Sequence, residues 1–117
     1  MKLTLPYPPS TNHGAYWGQV GHRRYLTPRA LKFRNDVLIE CISKYGIADY
    51  FDKPVSMIVD LYPPDRRKRD ADNGIKALWD ALQHAGALAD DSLVKAYTVT
   101  MRDIVKGGQC VVQIYPI

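Results

Sequence analysis

Asp65-Arg66-Arg67-Lys68-Arg69-Asp70-Ala71-Asp72-Asn73-Gly74-Ile75-Lys76 is the stretch around which the chain is organised. Four consecutive cations run into two aspartates one residue apart. An ordered apolar stripe follows, with Ile75, Leu78, Trp79 and Leu82 at i, i+3, i+4 and i+7, which predicts a helix over residues 72–84. In extended backbone residues i and i+2 project to one side, so the Asp70 and Asp72 carboxylates would face each other. Like charges that close resist simultaneous ionisation. A cation held between the acids and a polyanion lying over the arginines resolve the conflict, which is the requirement of metal-assisted cleavage of a nucleic-acid backbone.

Upstream, residues 54–62 read as a strand that Pro63-Pro64 ends, just as Pro8-Pro9 ends a first strand over residues 2–7. Between them lies a helix that starts at Thr27-Pro28, with Thr as cap and Pro in the first turn, and stops at Gly46. Its expected apolar face is Leu31, Val37, Leu38, Cys41, Ile42 and Tyr45. Residues 10–26 read as a long loop carrying Tyr16, Trp17, Tyr25 and the His22-Arg23-Arg24 run. Such a loop either presents stacking surfaces and phosphate ligands, with Arg23 and Arg24 as DNA contacts, or packs its aromatics on the core.

Downstream, Gly86 closes the second helix and Asp90-Asp91 occupy a short turn. A third strand is expected over residues 93–105. Lys106-Gly107-Gly108 reads as a hairpin turn, and residues 109–115 return as a fourth strand. The expected fold is α/β of the α+β kind. It is a single domain over residues 1–117, with a mixed four-stranded sheet in the order β-α-β-α-β-β and helices packed on it.

At 117 residues there is room for one core and not for separate catalytic and binding domains. The excess of 16 Lys and Arg over 12 Asp and Glu is modest, so the distribution matters more: the positive charge clusters at Arg66–Arg69 and at His22-Arg23-Arg24, and Glu40 is the only glutamate. Short carboxylates make well-fixed ligands for hard metals, although aspartate also favours turns. Cys41 and Cys110 have no metal-ligand spacing and read as reduced core thiols. No apolar run approaches the roughly 20 residues of a membrane span, and Met1–Pro9 lacks the form of a signal peptide. A soluble cytoplasmic protein without membrane contact is expected.

Asp70, Asp72 and Asp91 are the candidate catalytic metal ligands, Asp91 on the inference that the chain returns to Asp72 after the second helix. Mg²⁺ suits a site with few carboxylates and room for substrate. Lys76, one turn beyond Asp72, either meets the scissile phosphate or makes an ordinary helix pair with Asp72. Helix capping is the alternative role for Asp70 and Asp72, and a solvated basic loop that for Arg66, Arg67, Lys68 and Arg69. His13, His22 and His84 form no ligand spacing, and neither a Gly-rich phosphate loop nor a Ser or Cys nucleophile context is present.

Several segments occur together and in order: Leu5-Pro6-Tyr7-Pro8-Pro9-Ser10 with Asn12, the run from Pro64 to Asn73, Lys76-Ala77, Asp80-Ala81-Leu82, and Asp90-Asp91 before a strand. In this the chain resembles the RusA-type Holliday junction resolvases of bacteria and their phages, over nearly its whole length. The resemblance implies a homodimer that binds four-way DNA junctions and makes paired symmetric nicks with Mg²⁺, for which Mn²⁺ substitutes. It implies metal ligation by the residues at Asp70, Asp72 and Asp91 and a need for Lys76. Asp90, Asn73 and the DNA-contacting Asn12 are lesser candidates. A non-catalytic junction-binding module, resting on the same basic runs and loop aromatics, is the rival expectation.

Overall fold

The computed structural model describes residues 1–11, 15–46 and 50–117. Its main sheet holds β1 (Lys2–Leu5), β4 (Val55–Tyr62), β5 (Val94–Met101) and β6 (Gln109–Pro116) in the spatial order β1-β6-β4-β5. β6 is antiparallel to both neighbours, whereas β4 and β5 are parallel, so β1, β4 and β5 all run one way. The mixed four-stranded sheet with two helices matches expectation. One part of the topology does not: β5 and β6 are not a hairpin, because β4 lies between them. Residues 102–108 instead carry the chain past the end of β4, where Arg102 N–H reaches the Leu61 carbonyl at 2.7 Å and Val105 N–H the Pro63 carbonyl at 3.0 Å. Burial explains the choice: Cys110, Val112 and Ile114 of β6 are fully buried, as a central strand requires, while β5 is exposed along most of its length and suits an edge.

α1 (Pro28–Tyr45) begins where the sequence placed it. The Thr27 hydroxyl accepts from Ala30 N–H at 3.2 Å and donates to the Ala15 carbonyl at 2.6 Å. Gly46, at φ 67°, ends the helix with its N–H on the Ile42 carbonyl. The buried face is Ala30, Phe33, Val37 and Cys41, with Leu38 and Tyr45 packed beside it. Leu31 and Ile42, expected on that face, are 52% and 49% exposed.

α2 (Ile75–His84) starts three residues later than expected, because residues 71–74 form turns. Three of the four stripe residues do what the periodicity implied: Ile75, Leu78 and Leu82 are buried with Ala81 against the same sheet face as α1, while Trp79 is only partly buried at the core's edge. Among the described residues the result is two layers, with both helices on one face of the sheet. Fully burying such a Leu stabilises by about 1.5–3 kcal/mol, so this layer carries most of the fold.

The expected loop over residues 10–26 holds a second sheet instead. β2 (Trp17–Val20) and β3 (Arg23–Leu26) pair antiparallel around Gly21-His22, with Trp17 opposite Leu26 and Val20 opposite Arg23. Glycines inside and at the tip hid this ribbon from any alternation pattern.

Candidate active site

β1 and β4 point the same way, so Tyr7-Pro8-Pro9, just beyond β1, and Tyr62-Pro63-Pro64, at the end of β4, meet at one end of the sheet. β1 stops at Leu5, ahead of Pro6, rather than at Pro8-Pro9 as expected. From Pro64 the chain enters the basic-acidic stretch, which Asp65 organises. Its carboxylate accepts from Arg67 N–H at 2.9 Å and from Arg69 Nη1 at 2.7 Å, with Arg67 Nη2 at 3.5 Å. The Arg69 bond first, then the Arg67 N–H, holds the Asp65 carboxyl down at about 2. Arg69 also lies 5.7 Å from the Tyr7 ring centroid. It is therefore folded back as an internal brace, whereas Arg66, Arg67 and Lys68 are exposed.

Asp70 and Asp72 follow, both exposed. Their backbone carbonyls build the turn, accepting from Asn73 N–H at 3.3 Å and Ile75 N–H at 3.2 Å. Neither side chain caps α2, whose cap residue is Gly74 without any side-chain hydrogen bond. Among the described residues no ion pair engages Asp70, Asp72 or Lys76, so the ordinary helix pair is absent too. Lys76 stands exposed on α2. The N-terminal segment braces the turn from behind: Thr11 N–H and Oγ1 donate to the Asn73 carbonyl at 3.0 and 3.2 Å. A Cβ on Gly74 would come within 2.8 Å of Pro8 Cγ, which is why a residue without one stands there. A groove of about 410 Å³ opens beside the turn, lined by Tyr7, Arg29, Lys32, Arg67, Asp70 and Asn73 among others.

The other acids sit at the far end of α2. The Asp90 carboxylate accepts from Ser92 N–H at 2.8 Å and is held below the usual carboxylate range chiefly by hydrogen bonding to Ser92. It caps the short 3₁₀ turn Asp91–Leu93. Asp91 N–H donates to Gln83 Oε1 at 2.9 Å, which ties it to the last turn of α2. A ten-residue helix is about 15 Å long, so one chain keeps Asp91 near the opposite helix end from Asp70 and Asp72. Among the described residues no group of three His, Cys, Asp or Glu stands close enough to hold a metal ion. The donor chemistry of Asp70, Asp72 and Asp91 fits a hard divalent cation, but the geometry of one chain does not gather the set.

The remaining candidates are spread over two regions. Arg23 and Arg24 are exposed on β3, with the Arg24 guanidinium 4.7 Å from the Trp17 ring centroid. Asn73 lines the groove. Asn12 and His13 lie outside the described residues.

Sequence reasoning assigned no role to the cluster of Tyr16, Arg34 and Asp80. The Tyr16 hydroxyl donates to Asp80 Oδ2, and Arg34 grips the same carboxylate with Nε at 2.9 Å and Nη2 at 3.2 Å. Burial pushes the Asp80 carboxyl up, but the bonds from Arg34 and Tyr16 outweigh it and hold it below the usual range. Burial and the bond to Asp80 push the Tyr16 phenol up. No spacing rule links residues 16, 34 and 80. The Asp80-Ala81-Leu82 segment shared with the resolvases was the one available signal.

No described helix is long and apolar enough to cross a membrane. The profile of the family Endodeoxyribonuclease RusA matches residues 6–115. Among named relatives, the crossover junction endodeoxyribonuclease RusA of Escherichia coli strain K12 is 34% identical over 110 residues, covering 92% of this chain and 87% of the relative. That of Shigella sonnei gives the same figures. The crossover junction endodeoxyribonuclease of Enterobacteria phage HK97 is 36% identical over 116 residues, covering 97% of this chain and 92% of the relative. A match spanning both the basic-acidic turn and the sheet that carries it leaves one conclusion: the chain belongs to the endodeoxyribonuclease RusA family.

Proposed function

We propose that this protein is a structure-specific endodeoxyribonuclease that resolves four-way DNA junctions by paired nicks, acting in DNA recombination and repair. The observation that carries the reading is the pair of exposed carboxylates, Asp70 and Asp72, that neither cap α2 nor pair with Lys76, set directly after an exposed cation run. Acids left open beside a surface that attracts DNA have a use only where a cation joins them.

Asp70, Asp72 and Asp91 would hold a divalent ion, Mg²⁺ with Mn²⁺ as substitute. Such an ion supplies an activated water and screens the phosphate charge. Arg66, Arg67 and Lys68 hold the backbone of the incoming strand, with Arg69 fixing the loop that presents them. Lys76 places a positive charge where the phosphate develops negative charge during cleavage. Because one chain keeps Asp91 at the far end of α2, the full ligand set calls on a second copy. The two-fold homodimer implied by the family resemblance supplies it, and the same symmetry aligns two sites with opposing strands of a junction. Kinship with bacterial and phage enzymes supports an expectation of work in the cytoplasm of a bacterium.

A labelled synthetic four-way junction incubated with the protein and Mg²⁺ should yield symmetric nicked duplexes, and none when the metal is chelated. Equal product in the chelated sample overturns the metal assignment. The second reading, a non-catalytic junction-binding module, draws on the ungathered acids of the single chain and expects tight binding with no product in either sample.

A further inference from the structure

The β2–β3 ribbon projects Gln19, Val20, His22, Arg23 and Arg24 into solvent, Val20 being 68% exposed. Its root, in contrast, is fixed at several points. Tyr16, immediately before β2, is 1% exposed and packs against Ala30 of α1 and Ala77 of α2. Its carbonyl accepts from Thr27 N–H at 3.0 Å, closing the ribbon's two ends together, and its hydroxyl reaches Asp80. Arg34 on α1 grips that carboxylate with two nitrogens, a geometry that sets direction as well as distance. Beyond Tyr16 the contacts continue outward. The Trp17 ring meets the Tyr16 ring edge-on at 5.3 Å between centroids, and Arg24 lies over Trp17 at 4.7 Å.

A continuous chain of packed groups thus runs from Asp80 through Tyr16 and Trp17 to Arg24. On α2, Asp80 stands four residues beyond Lys76, so the two share one ridge of the helix. A two-stranded ribbon is also narrow enough to enter the major groove, about 12 Å wide.

We infer that Asp80, with Tyr16 and Arg34, is a positioning group. It sets the β2–β3 ribbon at a fixed angle to the Lys76 ridge, so that the duplex arm gripped by Arg23 and Arg24 lies along the path to the acidic turn. The inference rests on the endonuclease reading only for the identity of that path.

The test measures binding of a fluorescent four-way junction without divalent metal, so that cleavage plays no part. Tyr16→Phe and Arg24→Ala should each weaken binding about five- to tenfold, and the double variant no more than either alone, because the first change works through the second residue. Asp80→Asn repeats the cycle should Tyr16→Phe lower the thermal midpoint. Losses that multiply in the double variant, or unchanged binding by both Tyr16→Phe and Asp80→Asn, overturn the positioning role. A purely structural cluster would lower the thermal midpoint and leave the Arg24 effect intact in either background. Variants that show the coupling in a protein whose wild type never nicks with Mg²⁺ sink the endonuclease reading and leave the positioning group standing. Multiplying losses in a protein whose wild type nicks normally do the reverse.

Discussion

The two ends of α2 carry their acids differently. At the start, Asp65 absorbs Arg69 and the Arg67 N–H, which leaves Asp70 and Asp72 with no ion pair among the described residues. At the finish, Asp90 is consumed by the Ser92 N–H and Asp91 is held through its backbone by Gln83. In each place one aspartate builds the local structure, but of the successors only Asp70 and Asp72 stay exposed, whereas Asp91 is half-buried beside Asp90. The difference teaches that position in a run of charge does not disclose role. Partners do, and these come from backbone geometry within a few residues.

The largest effect expected from that contrast is on chemistry. Asp70→Asn, Asp72→Asn and Asp91→Asn should each cut the nicking rate by about 10²–10³-fold or more while junction affinity stays close to wild type. Single-turnover cleavage and a binding titration on the same junction check both halves. Asp90→Asn should cost far less, and an equal loss there would erase the distinction between the two neighbours. Full activity in Asp91→Asn would confine the site to the start of α2.

Lys76→Ala should lower nicking by about 10²-fold with little change in binding, as loss of a charge that acts on the transition state. A rise in Kd with an unchanged single-turnover rate would reassign it to ground-state grip. Gly74→Ala sharpens the contrast from the side of stability. Its new methyl must displace Pro8, and denaturant unfolding should show a loss of about 1–3 kcal/mol. Neutralising Arg66 and Lys68 together should flatten the salt dependence of binding by about 0.9 in log–log slope for each phosphate contact removed. Arg69→Ala should instead loosen the loop.

The smallest effect concerns pH. Asp65 is depressed to about 2 in the folded chain, so its ties contribute fully above the ordinary carboxylate value of 3.8 and fade as pH falls through about 2. The protection factor of the Arg67 amide, its exchange relative to the unstructured rate at the same pH, should therefore hold until the solution is acidified into that window. A protection factor lost near pH 6 would show another group holding the loop.

Elements with local causes were legible in the sequence. Thr27-Pro28 and Gly46 bound α1 because caps act within one turn, and the Ile75, Leu78, Leu82 stripe found the buried face of α2. The candidate acids were legible as a motif, and their unpaired state was not. Neighbour choice in the sheet was out of reach. Gly107-Gly108 signals a tight reversal in any context, and nothing local says that β6 should slip between β1 and β4. The ribbon escaped for a related reason, since Tyr16 is held by residues 34 and 80, distant in the chain. Leu31 misled because a helix face is set by what packs on it, and the core takes Phe33 and Val37 while Leu31 faces solvent.

The twin prolines that follow β1 and β4 have a mechanical consequence. Each locks its own φ, and neither supplies an N–H that would need a partner, so the two strand ends form a stiff ledge. Any swing of the cationic segment onto a bound strand must be hinged after Pro64 and before the bracing contacts at Asn73. Motion on substrate engagement is thereby confined to fewer than about ten residues, and the entropy lost in gripping DNA is small by the same measure.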